Sequence, residues 1–114
     1  MLPPISAEQK TPMKQNASAL APFLDEEKRL TAFPAKHRKK LPALWYLAEK
    51  IEPDRRYTEA QINDLLDDWA VFHDHSTLRR ELYNKRLLGR EADGSVYWKE
   101  SPFESFEAFA ARWL

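Results

Sequence analysis

Apolar positions along this chain recur as three helical stripes, followed by a stretch where the period drops to that of a strand. Leu41, Leu44, Trp45, Leu47, Ala48 and Ile51 return at three- and four-residue spacings, predicting a helix over about 36–51. Pro42 lies inside that pattern. Proline suits a first helical turn, so the strong helix is expected to begin near Leu41, with His37 to Lys40 as a basic lead-in. Ile62, Leu65, Leu66 and Trp69 form a second stripe, and Thr58 with Gln61 ahead of it has capping-box spacing. Leu78 and Leu82 mark a third helix, opened by Asp74 and running to about Arg86. After it, 87–91 and 95–99 read as paired strands around an Asp93-Gly94 turn. Ser101-Pro102-Phe103-Glu104 resembles another capping box. It predicts an amphipathic terminal helix over 102–114 carrying Phe103, Phe106, Phe109, Ala110 and Trp113.

The start of the chain is different. Residues 1–18 hold Pro3, Pro4 and Pro12 among small and polar residues, and read as a weakly ordered segment. A short helical turn over 19–24 and an extended piece over 29–33 follow, the latter ended by Pro34. Residues 19–114 are then one domain, large enough to hold its own core. A helix passing directly into a hairpin is the distal half of a winged helix-turn-helix. The expected class is therefore α+β and winged helix-turn-helix-like: a three-helix core, a β-hairpin and an additional terminal amphipathic helix. The aromatics of that last helix either cover the domain's own core or form a seam with a second copy.

Composition narrows the options. There is no cysteine, so disulfides and thiolate metal sites are out. No apolar run is long enough for a membrane span, and a cytoplasmic protein without membrane contact is expected. The formal net charge is zero, yet the charge is unevenly spread. Between His75 and Arg90, Arg79, Arg80, Lys85, Arg86 and Arg90 face only Glu81. Asp64, Asp67 and Asp68 on the second helix supply part of the compensation.

Several short motifs carry a resemblance: Phe33-Pro34, the basic run Lys36 to Lys40, Tyr57-Thr58-Glu59, His73-Asp74, Leu78-Arg79-Arg80 and Tyr97-Trp98. Taken together, over roughly residues 23–99, they are similar to domain-of-unknown-function family 2087, a bacterial family. The resemblance implies a winged-helix-like fold and a link to transcriptional regulators, and it implies no enzymatic activity. In similar sequences a glycine often stands where this chain has Arg86.

The residues themselves suggest where DNA would be held. With Leu78 and Leu82 inward, Ser76, Thr77, Arg80 and Asn84 point outward, with Tyr83 nearby, and Thr77, Arg79, Arg80 and Asn84 are the candidate groove contacts. Arginine can pair with guanine, asparagine with adenine, and a threonine methyl with thymine, which suits a recognition helix in the major groove. Lys36, Arg38, Lys39, Arg55 and Arg56 are candidate phosphate contacts. Each group also has a plain alternative as solvated charge with local pairs, such as Glu81 with Lys85. Glu91 and Asp93 at the hairpin tip count against a phosphate-gripping wing.

His73-Asp74-His75, with His37, could suggest a metal, but the spacing is loose and no metal is expected. Gly89 and Gly94 are the only glycines, too few for a glycine-rich phosphate loop, and no nucleophile stands in a recognisable setting. No catalysis and no cofactor are expected. The function expected is a DNA-binding transcriptional regulator or accessory protein. The alternative is a protein–protein interaction module on the same scaffold, with a second copy or another protein as partner. A small-molecule sensor built around Trp45, Trp69 and Trp98 is a third option.

Overall fold

In the computed structural model the described residues are 20–114; the segment 1–18 lies outside them. The order is a 3-10 turn (Ala21–Phe23), α1 (His37–Glu49), β1 (Arg56–Thr58), α2 (Glu59–Trp69), α3 (His75–Asn84), β2 (Leu88–Arg90), β3 (Val96–Lys99) and α4 (Phe106–Trp113). The protein is α+β, with four helices of more than one turn and one three-stranded antiparallel sheet among the described residues.

α1 starts earlier than expected. His37 to Lys40 form its first turn rather than a lead-in, and Pro42 sits within the helix. Proline there lacks the N–H that would reach the Arg38 carbonyl, at a cost of about 3 kcal/mol. Burial of Leu41, Pro42, Ala43, Leu44, Trp45, Leu47 and Ala48 outweighs that cost. The helix start itself is poor. Lys36 makes no side-chain cap, and the first turn holds cations and no acid, against the helix dipole. Packing fixes α1, not its local sequence.

α2 forms as its sequence predicts. The Gln61 N–H donates to Thr58 Oγ1 and the Thr58 N–H donates to Gln61 Oε1, completing the capping box. Its partner α3 has Asp74 at the N-cap position, but the carboxylate caps nothing. The chain before α1 pins the turn between these helices: Leu30 donates to the Trp69 carbonyl at 2.8 Å and accepts from the Val71 N–H at 2.9 Å. Leu30 is fully buried there. Asp25 organises the approach, since its Oδ1 accepts from the N–H groups of Glu27 and Arg29.

α3 ends at Asn84, two residues before the expected Arg86. Arg86 takes a left-handed conformation (φ 61°), its N–H donates to the Tyr83 carbonyl, and the Leu87 N–H donates to the Leu82 carbonyl. This is the Schellman pattern, with an arginine where glycine is favoured. The helix therefore turns into β2 without a loop.

The sheet has a strand that the sequence pattern does not reveal. β1 pairs with β3, as β2 does, so the spatial order is β1-β3-β2. Tyr57 faces Tyr97 across the pair, and both are buried in the core. On the other face the Trp98 indole covers Gly89. A Cβ on Gly89 would lie 2.3 Å from Trp98 Nε1, so only glycine fits.

The terminal helix begins at Phe106, not at Pro102, and its N-cap is Ser105, whose hydroxyl accepts from the Ala108 N–H. Residues 101–105 stay non-helical because they serve Trp45. Phe103 stacks on that indole with centroids 5.1 Å apart, and the indole N–H donates to the Glu104 carbonyl at 3.0 Å. Phe106 meets the same ring edge-on, and Phe109 is fully buried. α4 thus packs on its own domain.

Candidate functional site

α3 lays Leu78 and Leu82 into the core with no exposure, which turns the opposite face outward. Ser76, Arg80, Tyr83 and Asn84 are exposed on that face, while Thr77 and Arg79 are half-buried. The hairpin follows α3 so closely that its inner edge comes alongside. Between the two lies a shallow hollow of about 230 Å³, lined by Ser76, Arg79, Arg80, Tyr83, Arg90 and Tyr97.

The hollow brings three arginines together without a carboxylate pair for any of them among the described residues. Arg79 donates to the Asn63 amide oxygen and lies 5.9 Å from the Tyr97 ring centre. Arg90 lies 5.2 Å from the Tyr83 ring centre. Both distances fit cation–π attraction, which orients a guanidinium without cancelling its charge. Asp93 lies in the adjoining turn, where the Ser95 hydroxyl and N–H hold its carboxyl below the usual range, with a minor pull from Arg90.

The other candidate cations divide. Lys36, Arg38 and Lys39 are exposed at the start of α1 and contribute nothing to the hollow's lining. They stand near the last turn of α4, because His37 Nε2 lies 2.9 Å from the Trp113 carbonyl. Lys85 of the α3 C-cap also lies over the Trp113 ring, so this cluster is beside the far end of α3 from Ser76. Arg55 and Arg56 are tied down. Arg55 pairs with Glu52 at 3.3 Å, and Arg56 pairs with Glu91 at 3.0 Å while lying over Trp98. The local Glu81–Lys85 pair also forms, at 3.3 Å.

The histidines do not converge. His75 Nδ1 lies 3.1 Å from both Asp67 oxygens and His73 Nδ1 lies 3.7 Å from one, whereas His37 is at α4. Among the described residues no group of three or more His, Asp or Glu side chains is placed to hold a metal ion. The tryptophans are also dispersed: Trp45 sits under Phe103 and Phe106, Trp69 meets Tyr46 edge-on, and Trp98 covers Gly89. No helix among the described residues is long and apolar enough to cross a membrane.

An α+β domain with a basic helix face beside a hairpin is the class that these observations define. The chain belongs to a family of uncharacterized proteins conserved in bacteria, DUF2087, which matches it over residues 29–99. That span contains all of α1 to α3, the sheet and the hollow. No curated protein matches the chain, and no solved structure matches it.

Sequence reasoning found Ser76, Arg79 and Arg80 but missed Tyr97 and gave Arg90 only a marginal place. The signal was available in part: Tyr97 and Arg90 face each other across β2 and β3, so one strand register aims both at the same side.

Proposed function

We propose that this protein is a bacterial DNA-binding regulator or accessory protein of the winged-helix type, acting in the cytoplasm. The observation that carries the reading is the face of α3, where Ser76, Arg80, Tyr83 and Asn84 stand exposed side by side. These side chains can bond base edges in a major groove, which is wide enough for a helix. The element order supports it: a helix, a strand, two helices joined by a five-residue turn, and a hairpin whose second strand is central in the sheet. Lys36, Arg38 and Lys39 are the phosphate contacts in this reading, since nothing pairs with them among the described residues. Arg55 and Arg56 stay in the reading as phosphate contacts that would first have to exchange their exposed pairs with Glu52 and Glu91.

Fluorescence anisotropy of the full chain with labelled duplexes tests this. Binding should weaken steeply with salt, Arg80→Ala should flatten the preference among sequences, and Lys39→Ala should lower the salt slope by about one. Folded protein that leaves every duplex free at low salt removes the reading. One observation favours an interaction module instead: the Glu91–Arg56 pair neutralises the hairpin edge that a DNA-gripping wing would present.

A further inference from the structure

We propose that the hollow between α3 and the hairpin is a phosphate-ester site. The lining is three arginines, Arg79, Arg80 and Arg90, with three hydroxyl-bearing residues, Ser76, Tyr83 and Tyr97. A carboxylate offers one charge and two oxygens to such a ring of donors. A phosphate monoester offers three terminal oxygens and nearly two charges, and so matches the three forks better. The exposed Tyr83 ring provides a wall for a planar group attached to the ester, and about 230 Å³ holds a phosphate with part of its substituent.

The site is built rather than incidental. Arg79 is half-buried, and its partner is the neutral Asn63 amide, which fixes the guanidinium and leaves its charge available. Arg90 is seated over Tyr83 and beside Gly94, where an added Cβ would come within 3.1 Å of Arg90 Nη1. Gly94 has φ 75°, so both the turn and the seat of Arg90 favour glycine. Acids stand outside the lining: Asp93 in the adjoining turn is within electrostatic reach of Arg90, Asp74 precedes Ser76 by two residues, and a Glu59 oxygen lies 3.9 Å from the same Cβ position on Gly94.

The phosphate could belong to a nucleic-acid strand or to a small free ester, and the test separates them. The full chain, labelled at the arginine side-chain nitrogens, is titrated by NMR with inorganic phosphate and with phenyl phosphate, against sodium chloride at equal ionic strength. Saturable shifts confined to Arg79, Arg80 and Arg90 are expected, with phenyl phosphate several-fold tighter. Arg80→Gln and Arg90→Gln, both at exposed positions, should each weaken phenyl phosphate at least ~10-fold. Shifts that chloride reproduces, or affinities unchanged in both variants, overturn the site.

In a duplex arm, loss of DNA affinity in Arg90→Gln with a salt slope lower by about one assigns the ester to a nucleic-acid backbone. Unchanged duplex binding alongside lost phenyl phosphate binding assigns it to a small ester. The site does not depend on groove reading by α3. Phosphate binding without any duplex binding keeps the site and removes that reading; duplex binding without phosphate binding does the reverse.

Discussion

Two arginine-bearing regions of this domain look alike in sequence and differ in space. At β1, Arg55 and Arg56 each lie over an aromatic ring and also meet a carboxylate, Glu52 or Glu91. At α3 and the hairpin, Arg79 and Arg90 also lie over rings, yet with Arg80 they meet no carboxylate among the described residues. Aromatic support is common to both regions; neutralisation is not. Charge left unmatched against a hollow is the feature that distinguishes a binding surface from a structural edge.

Four changes would break or sharpen that contrast. The largest effect is expected from Leu82→Ala, which opens a hole beneath the outward face of α3. It should cost about 3 kcal/mol in a urea unfolding curve, enough to loosen the hollow while β1 remains paired. Next, Glu91→Lys frees Arg56 and adds a cation, making the β1 edge resemble the α3 face. Under the proposed reading, duplex binding should tighten by roughly tenfold, with a salt slope steeper by about one to two, seen by anisotropy. Arg86→Gly should stabilise the fold by about 1 kcal/mol, since a side chain at φ 61° is strained, and thermal unfolding would register it. Arg55→Ala should change stability by less than ~1 kcal/mol in the same measurement, because its pair is exposed.

A smaller, pH-dependent effect concerns the turn ahead of α1. The backbone N–H of Arg29, above all, holds the Asp25 carboxyl below its ordinary value of 3.8, with lesser help from Glu27 N–H and the Arg29 side chain. A depressed folded pKa contributes stability above the unfolded value, and that contribution disappears as pH falls through the folded one. Amide exchange at Glu27 and Arg29, corrected for intrinsic rates, should therefore accelerate only below about pH 4. Unchanged protection there would show that Asp25 does not hold the turn.

What the chain's pattern disclosed follows from the range of the forces involved. The bodies of α1, α2 and α3 were legible because each buries a periodic stripe, and the Thr58–Gln61 box is a local device that forms as written. β1 was not legible, since three residues with one buried side chain carry almost no period. The start of α4 depends on Trp45, about sixty positions away in the chain, and no local rule chooses Ser105 over Ser101. The α3 half of the hollow could be read from helix phase. Its other half, Arg90 and Tyr97, needed the hairpin's placement, which only packing supplies.

The buried interior does not stop at the borders of the family match. Leu20 lies upstream of residue 29 and Phe109 lies downstream of residue 99, and neither shows solvent more than 1% of its surface. A fragment trimmed to 29–99 would bare Trp45 to water and open both ends of the interior at once. Anyone excising the conserved unit for crystals or spectra should keep these two flanks attached.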